Sequence, residues 1–139
     1  MIILDTNVIS ELMRPVSSPR VLQWVSRQHT DELYCSTITL AEILYGIELL
    51  PSGQRRTELL AGAERMFAQV LGNRIFAFEE HSARAFARIA WARRRRGRPM
   101  AEFDAQIAAI AEVHGAALAT RNIHDFDGCG IRVVNPWVD

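Results

Sequence analysis

The sequence predicts an α/β fold in which a central, mostly parallel sheet is sandwiched by helices. Three observations carry this. Apolar runs without polar alternation, Ile2, Ile3 and Leu4 at the start and residues 116–120 later, suit strands buried on both faces, as parallel sheets require. Other stretches repeat apolar residues every three or four positions, the spacing of one helix face. The two kinds of segment alternate along the chain with no internal repeat, low-complexity tract or linker. With 139 residues the expectation is a single domain, 1–139, with one core region.

Taken in order, the strand at Ile2, Ile3 and Leu4 ends in Asp5. Residues 7–13 carry Val8, Ile9, Leu12 and Met13 at helical spacing, and Pro15 stops them. Ser18-Pro19 reads as a cap and a first-turn proline opening a helix through Val21, Leu22, Trp24 and Val25. Residues 33–37 form the next strand candidate. Thr39-Leu40-Ala41-Glu42 opens a helix with Ile43, Leu44, Ile47 and Leu50, which Pro51 ends. A helix over 54–71 is expected to bury Leu59, Leu60, Ala63, Met66, Phe67 and Val70. A brief strand at 75–78 precedes a long helix over 80–96, with Ala83, Phe86, Ala87, Ile89 and Ala90 inward and Gly97-Arg98-Pro99 as its break. The helix over 103–114 ends at Gly115, a residue suited to a left-handed cap. Strands at 116–120 and 131–134 complete the chain before Asn135-Pro136-Trp137.

Sixteen basic residues balance sixteen acidic ones, so net charge does not mark a nucleic-acid binder. All sixteen basic residues are arginine, and five of them lie between Arg93 and Arg98. Without lysine there is no Schiff-base or P-loop chemistry, and no receiver-type phosphoacceptor pocket. A dehalogenase-type phosphatase is disfavoured too, since Asn7 stands where its second aspartate belongs. Cys35 and Cys129 lack metal-ligand spacing and read as thiols in a reducing compartment. No stretch approaches the roughly 20 apolar residues of a membrane span, and the start lacks signal-peptide features, so a cytoplasmic location is expected.

The chemistry concentrates in Asp5, Glu42, Asp104 and the segment from Asn122 to Asp125. Each has a structural explanation. Asp5 suits an N-cap, Glu42 lies three residues after Thr39 as in a reciprocal capping box, and Asp104 gains from the dipole of its helix. In a parallel sheet, however, these acids fall at one end, where such folds bind ligands. Two carboxylates about 4 Å apart repel by roughly 4 kcal/mol at the effective dielectric of protein sites, so a cation is expected among them. Hard oxygen donors suit Mg²⁺ or Mn²⁺, which implies phosphodiester hydrolysis by an activated water.

Leu4-Asp5-Thr6-Asn7, Ser36-Thr37-Ile38-Thr39 through Glu42 and Gly46, Asp104 with Ile107-Ala108-Ala109, Ala119-Thr120-Arg121-Asn122 with Asp125-Phe126, and Asn135-Pro136-Trp137 resemble PIN-domain proteins. Within these, the VapC-type toxins of bacterial toxin–antitoxin pairs, particularly the FitB-like branch, look most similar, over essentially the whole chain. The resemblance implies a PIN-like fold, Mg²⁺- or Mn²⁺-dependent ribonuclease activity, homodimerisation, and inhibition by a small DNA-binding antitoxin. It makes Asp5, Glu42 and Asp104 metal-site acids and places Asn122 where the family often has aspartate, with Asp125 the nearest acid able to supply the missing charge. Thr6 and Asn7 are candidates for positioning at the site, and capping the first helix explains them nearly as well. Arg96 and Arg98 are candidates for RNA phosphate contact, whereas Arg93 and Arg94 read as a solvated helix end. The four histidines show no ligand spacing, and Trp137 reads as core or dimer-face packing. The rival reading is a non-catalytic module whose acidic pocket only holds an arginine of a DNA-binding partner.

Overall fold

A computed structural model describes residues 1–139. Strands β1 (Ile2–Leu4), β2 (Leu33–Ser36), β3 (Ile75–Phe76), β4 (Ala117–Ala119) and β5 (Val133–Val134) form one sheet in the order β3-β2-β1-β4-β5, and every pairing is parallel. Helices α1 (Thr6–Leu12), α2 (Pro19–Ser26), α3 (Thr37–Glu48), α4 (Gln54–Arg65), α5 (Glu80–Arg95) and α6 (Glu102–His114) supply the crossovers. The chain winds outward from β1 to β3 and then returns to the other side of β1 for β4. That reversal opens a crevice beyond the carboxyl ends of β1 and β4.

Alternation along β1 divides the core. Leu4 faces one layer with Val8, Ile9, Val21, Trp24, Ile43, Ile47 and Phe67, while Ile3 faces Ile89, Ile107, Ala108, Ile110, Leu118 and Phe126. The alanines of α6 let α5 and the sheet approach closely, which explains why this helix is buried over Ile107–Ala111.

Several boundaries differ from the expectation, each for a local reason. Ser36 ends β2 and caps α3, its hydroxyl accepting from the Thr39 N–H at 3.1 Å, so α3 starts at Thr37 and the expected Thr39–Glu42 box does not form. The helix expected over 54–71 stops at Arg65 and widens over residues 66–70, where the Leu71 N–H reaches the Met66 carbonyl at 2.9 Å. Leu60, within α4, and Val70, in the widened turn, are 37% and 51% exposed rather than inward. The inward stripe of α5 is Ser82, Ala85, Ile89 and Arg93, not Ala83 and Ala87, because small Ser82 and Ala85 admit α6 while Phe86 meets Phe78 edge-on. β3 ends at Phe76 because the Phe78 N–H turns to the Thr37 hydroxyl at 3.3 Å. Ala116 is claimed by the end of α6, its N–H bonding the Ala111 carbonyl at 2.9 Å beyond the left-handed Gly115 (φ 61°).

Candidate active site

Asp5 leaves β1 with its N–H on the Ala119 carbonyl at 2.9 Å, which fixes it at the β1/β4 crevice. Its side chain caps α1 by accepting from the Thr6 N–H at 2.8 Å, while its other oxygen accepts from the Thr120 hydroxyl at 2.7 Å and the Asn7 amide at 3.4 Å. The cap and the site carboxylate are therefore one group, 5% exposed. Burial raises its carboxyl above the usual range; the bonds from Thr120 and Thr6 oppose that rise, and the charge of Asp125 adds to it.

Thr120 organises this corner. Its hydroxyl donates to Asp5 and accepts from the Asn7 amide and the Asn122 N–H, both at 3.1 Å. Asn7 returns to the same turn, its carbonyl oxygen accepting from the Arg121 N–H at 3.2 Å. Asn7 thus ties α1 to the end of β4, and neither it nor Thr6 caps the helix.

Glu42, freed from capping, accepts from the Thr6 hydroxyl at 2.8 Å, and that hydroxyl also meets the buried Thr39 hydroxyl at 3.0 Å. Burial, ahead of the charge of Asp5, raises the Glu42 carboxyl, while the Thr6 bond lowers it. Glu42 and Thr6 open onto a groove of about 1110 Å³ between α1, α3 and α4, edged by Arg14, Arg55 and Arg65.

Asp104 stands in the first turn of α6, and its carboxyl is pushed up to about 6, first by burial and then by the charges of Asp5, Asp125 and Glu42. That sensitivity places all four acids in one electrostatic neighbourhood. Asp125 belongs to a 3₁₀ turn, Ile123–Phe126, whose Asp125 N–H bonds the Asn122 carbonyl at 3.1 Å, so the turn brings Asp125 back toward the sheet. Both Asn122 and Asp125 are exposed, and the Asn122 side chain makes no capping bond.

Arg93 overturns its sequence reading as a solvated helix end. It is 5% exposed, with Nε donating to the Arg98 carbonyl at 2.8 Å and Nη1 to the carbonyls of Asp125 and Asp127 at 2.9 and 3.0 Å. One guanidinium therefore locks the loop before α6 to the turn bearing Asp125, and its charge draws the Asp104 carboxyl partly back down. The signal was present: Arg93 is four residues after Ile89, on the same helix stripe. Arg96 and Arg98 are exposed and lean on this loop, Arg96 donating to the Gly128 carbonyl at 3.4 Å and Arg98 standing 3.8 Å from the Asp127 carboxylate. Trp137 packs against the Leu4 layer, and the Arg121 guanidinium lies 5.1 Å from its ring centre.

As the side chains stand, no three carboxylate, imidazole or thiol groups are close enough to enclose one ion. The donor set is all oxygen, drawn from separate elements at one sheet edge. It fits a hard dication that takes one or two carboxylates and keeps several waters, and not a closed zinc cage.

A PIN domain profile matches residues 2–127. The chain belongs to the PIN-domain family. Among its relatives, this PIN chain is 40% identical over 137 residues to plasmid stability protein StbB of Pseudomonas syringae pv. tomato, spanning 99% of both chains. It is 37% identical to toxin FitB of Neisseria gonorrhoeae over the full length of both, and 36% identical to VapC ribonuclease Y4jK of Sinorhizobium fredii over 99% and 98% of the two chains. Its fold superimposes with a TM-score of 0.90, at 36% identity over 99% of this chain and 96% of the other, on a chain in the structure of FitAB bound to a DNA fragment. The all-parallel sheet with six helices is the PIN fold that the sequence led us to expect.

Proposed function

We propose that this PIN chain is the toxin of a toxin–antitoxin pair and acts as a metal-dependent ribonuclease. The observation that carries the reading is the gathering of Asp5, Glu42 and Asp104, from the end of β1, from α3 and from α6, at the active edge of the sheet, where burial and mutual charge lift Asp104 to about 6. A group so perturbed in a crevice is a functional candidate on physical grounds. The relatives named as a VapC ribonuclease and a FitB toxin support the activity.

Asp5, Glu42 and Asp104 would hold Mg²⁺ or Mn²⁺, with Asp125 adding charge and Asn122 offering only a neutral carbonyl oxygen. When bound, the cation supplies Lewis acidity, lowering the pKa of water and offsetting charge on the leaving oxygen of a phosphodiester. Thr120 and the Thr6 N–H hold Asp5 in one orientation, and the Thr6 hydroxyl does the same for Glu42. In the metal-free chain burial and the neighbouring acids raise the Asp104 carboxyl to about 6, and a bound cation would favour its ionised form. Arg96 and Arg98, exposed on the segment that leads into α6, are the arginines this reading assigns to RNA phosphates.

The partners follow from the same reading: an RNA substrate, a second copy of the chain, and a small DNA-binding antitoxin with which it acts in the cytoplasm. An antitoxin arginine is expected to enter the acidic pocket and bond two carboxylates. The structure of FitAB on DNA supports an assembly of this kind. Incubating bulk RNA with the purified chain in Mg²⁺, Mn²⁺ or chelator tests the activity. Metal-dependent cleavage that Asp5→Asn abolishes is the expected result. Antitoxin binding without cleavage under either metal would leave the non-catalytic module as the correct reading.

A further inference from the structure

Arg121 differs from Arg93, Arg96 and Arg98 in having a fixed position and unclaimed donors. Arg93 is spent on three carbonyls, Arg98 faces Asp127, and Arg96 lies on Gly128. Arg121 is exposed, its guanidinium makes no hydrogen bond, and no carboxylate stands within ion-pairing distance. It is nevertheless held at both ends. Its N–H is bonded to the Asn7 side chain, which also contacts Asp5 and Thr120, and its guanidinium carbon lies 5.1 Å from the Trp137 ring centre. Trp137 is itself set in place by packing against the Leu4 layer and by its N–H, which bonds the Asn135 side chain at 2.9 Å.

We propose that Arg121, stacked on Trp137, is a subsite for a non-scissile phosphate of the RNA strand beside the acidic crevice. The inference rests on the ribonuclease reading and adds to it the residue that holds the strand on the β4/β5 side. An edge carrying Asp5, Glu42, Asp104 and Asp125 repels a polyanion, so the backbone needs cationic support next to the acids and not among them. A guanidinium presents several donors in a planar fork that matches phosphate oxygens two at a time. Stacking on an indole keeps that fork in one plane, so less freedom is lost when phosphate binds. Arg121 follows Thr120 directly, and Thr120 bonds Asp5, so the backbone that carries the fork is anchored at the acid at the centre of the site.

The test is anisotropy of a fluorescein-labelled, mixed-sequence single-stranded RNA with the full chain in chelator, titrated over a range of salt. Cleavage of bulk RNA under Mn²⁺ is run in parallel. Arg121→Ala is expected to weaken binding roughly fivefold at low salt and to reduce the magnitude of the slope of log K against log salt by about 0.7, the loss of one single-strand phosphate contact. Arg121→Lys should keep the slope and recover only part of the affinity, and Trp137→Leu should weaken affinity with the slope unchanged. Arg121 is a surface residue whose substitution leaves the core intact, so the result stands even where Trp137→Leu fails to fold. Wild-type cleavage together with an unchanged slope and affinity for Arg121→Ala overturns the subsite alone, as does a loss confined to antitoxin binding. A wild-type chain that neither binds nor cleaves RNA overturns the ribonuclease reading with it.

Discussion

Neutralising Asp104 should stabilise the metal-free protein. Its carboxyl moves from an ordinary value of 3.8 to about 6 on folding, through burial first and the charges of Asp5, Asp125 and Glu42 after it. At about 1.4 kcal/mol per pKa unit the ceiling on this cost is roughly 3 kcal/mol. Asp104 is only partly buried, and solvent screening cuts the cost to about 1–1.5 kcal/mol. Because the folded value lies above the unfolded one, the folded chain retains a proton that the unfolded chain has released between about pH 4 and 6. Stability is therefore greatest below that window and falls as pH rises through it. Asp104→Asn removes the charge, so its advantage should be absent near pH 4 and fully developed at about pH 7.5. For a chain of this length the gain corresponds to a Tm higher by about 3–5 °C. Scanning calorimetry of both proteins in chelator at the two pH values measures it. Adding Mg²⁺ should narrow the gap, since the ion stabilises the wild type more. Equal Tm values at the higher pH, or a less stable variant, would refute the claim that the acids repel one another at this edge.

Three further outcomes follow from particular contacts. Arg93→Met leaves the carbonyls of Arg98, Asp125 and Asp127 without their donor and should cost about 2–4 kcal/mol in urea unfolding, with Arg93→Lys recovering only part of it. Gly115→Ala forces a side chain into the left-handed conformation that ends α6 (φ 61°) and should cost about 1 kcal/mol in the same assay, with cleavage unaffected. Asp125→Asn should raise the Mg²⁺ concentration needed for half-maximal cleavage and Asn122→Asp should lower it; an unchanged titration for the first would reduce Asp125 to a loop residue.

The parallel sheet was legible because Ile2, Ile3 and Leu4 have no polar alternation, and burial on two faces leaves that mark. Asp5 and Asp104 could be placed at one edge of the sheet from sequence because the first follows a strand and the second begins a helix, whereas Glu42, expected in a first turn, lies in the second turn of α3. Glu42 was ambiguous in sequence because its spacing from Thr39 fits a capping box. The competition was decided by Ser36, three residues before Thr39 at the end of β2, which took the cap and left Glu42 to Thr6. The face of α5 was misread because alanines were counted as inward, although alanine is tolerated on either side and the packing is set by Ile89, Phe86 and the small Ser82. Thr120 and Arg93 were hidden for a shared reason. Thr120 bonds Asp5 across 115 positions and Arg93 reaches Asp125 across 32, and a hydrogen bond across such a distance leaves no local pattern.

The bond between Thr120 and Asp5 also bears on how the protein is made. β1 precedes the other strands of the sheet in the chain, yet it lies between two of them, and one, β4, is translated more than a hundred residues later. At about 5–20 residues per second the opening segment waits several seconds or longer with its central place in the sheet unfilled. During that interval Asp5 has neither the Ala119 carbonyl nor the Thr120 hydroxyl to hold it, and α6, once made, has no β4 to pack on. A nascent chain that has just passed α6 therefore carries Asp5, Glu42 and Asp104 but no assembled pocket. A message broken before the codon for residue 119 yields a polypeptide in which Asp5 lacks both of these bonds.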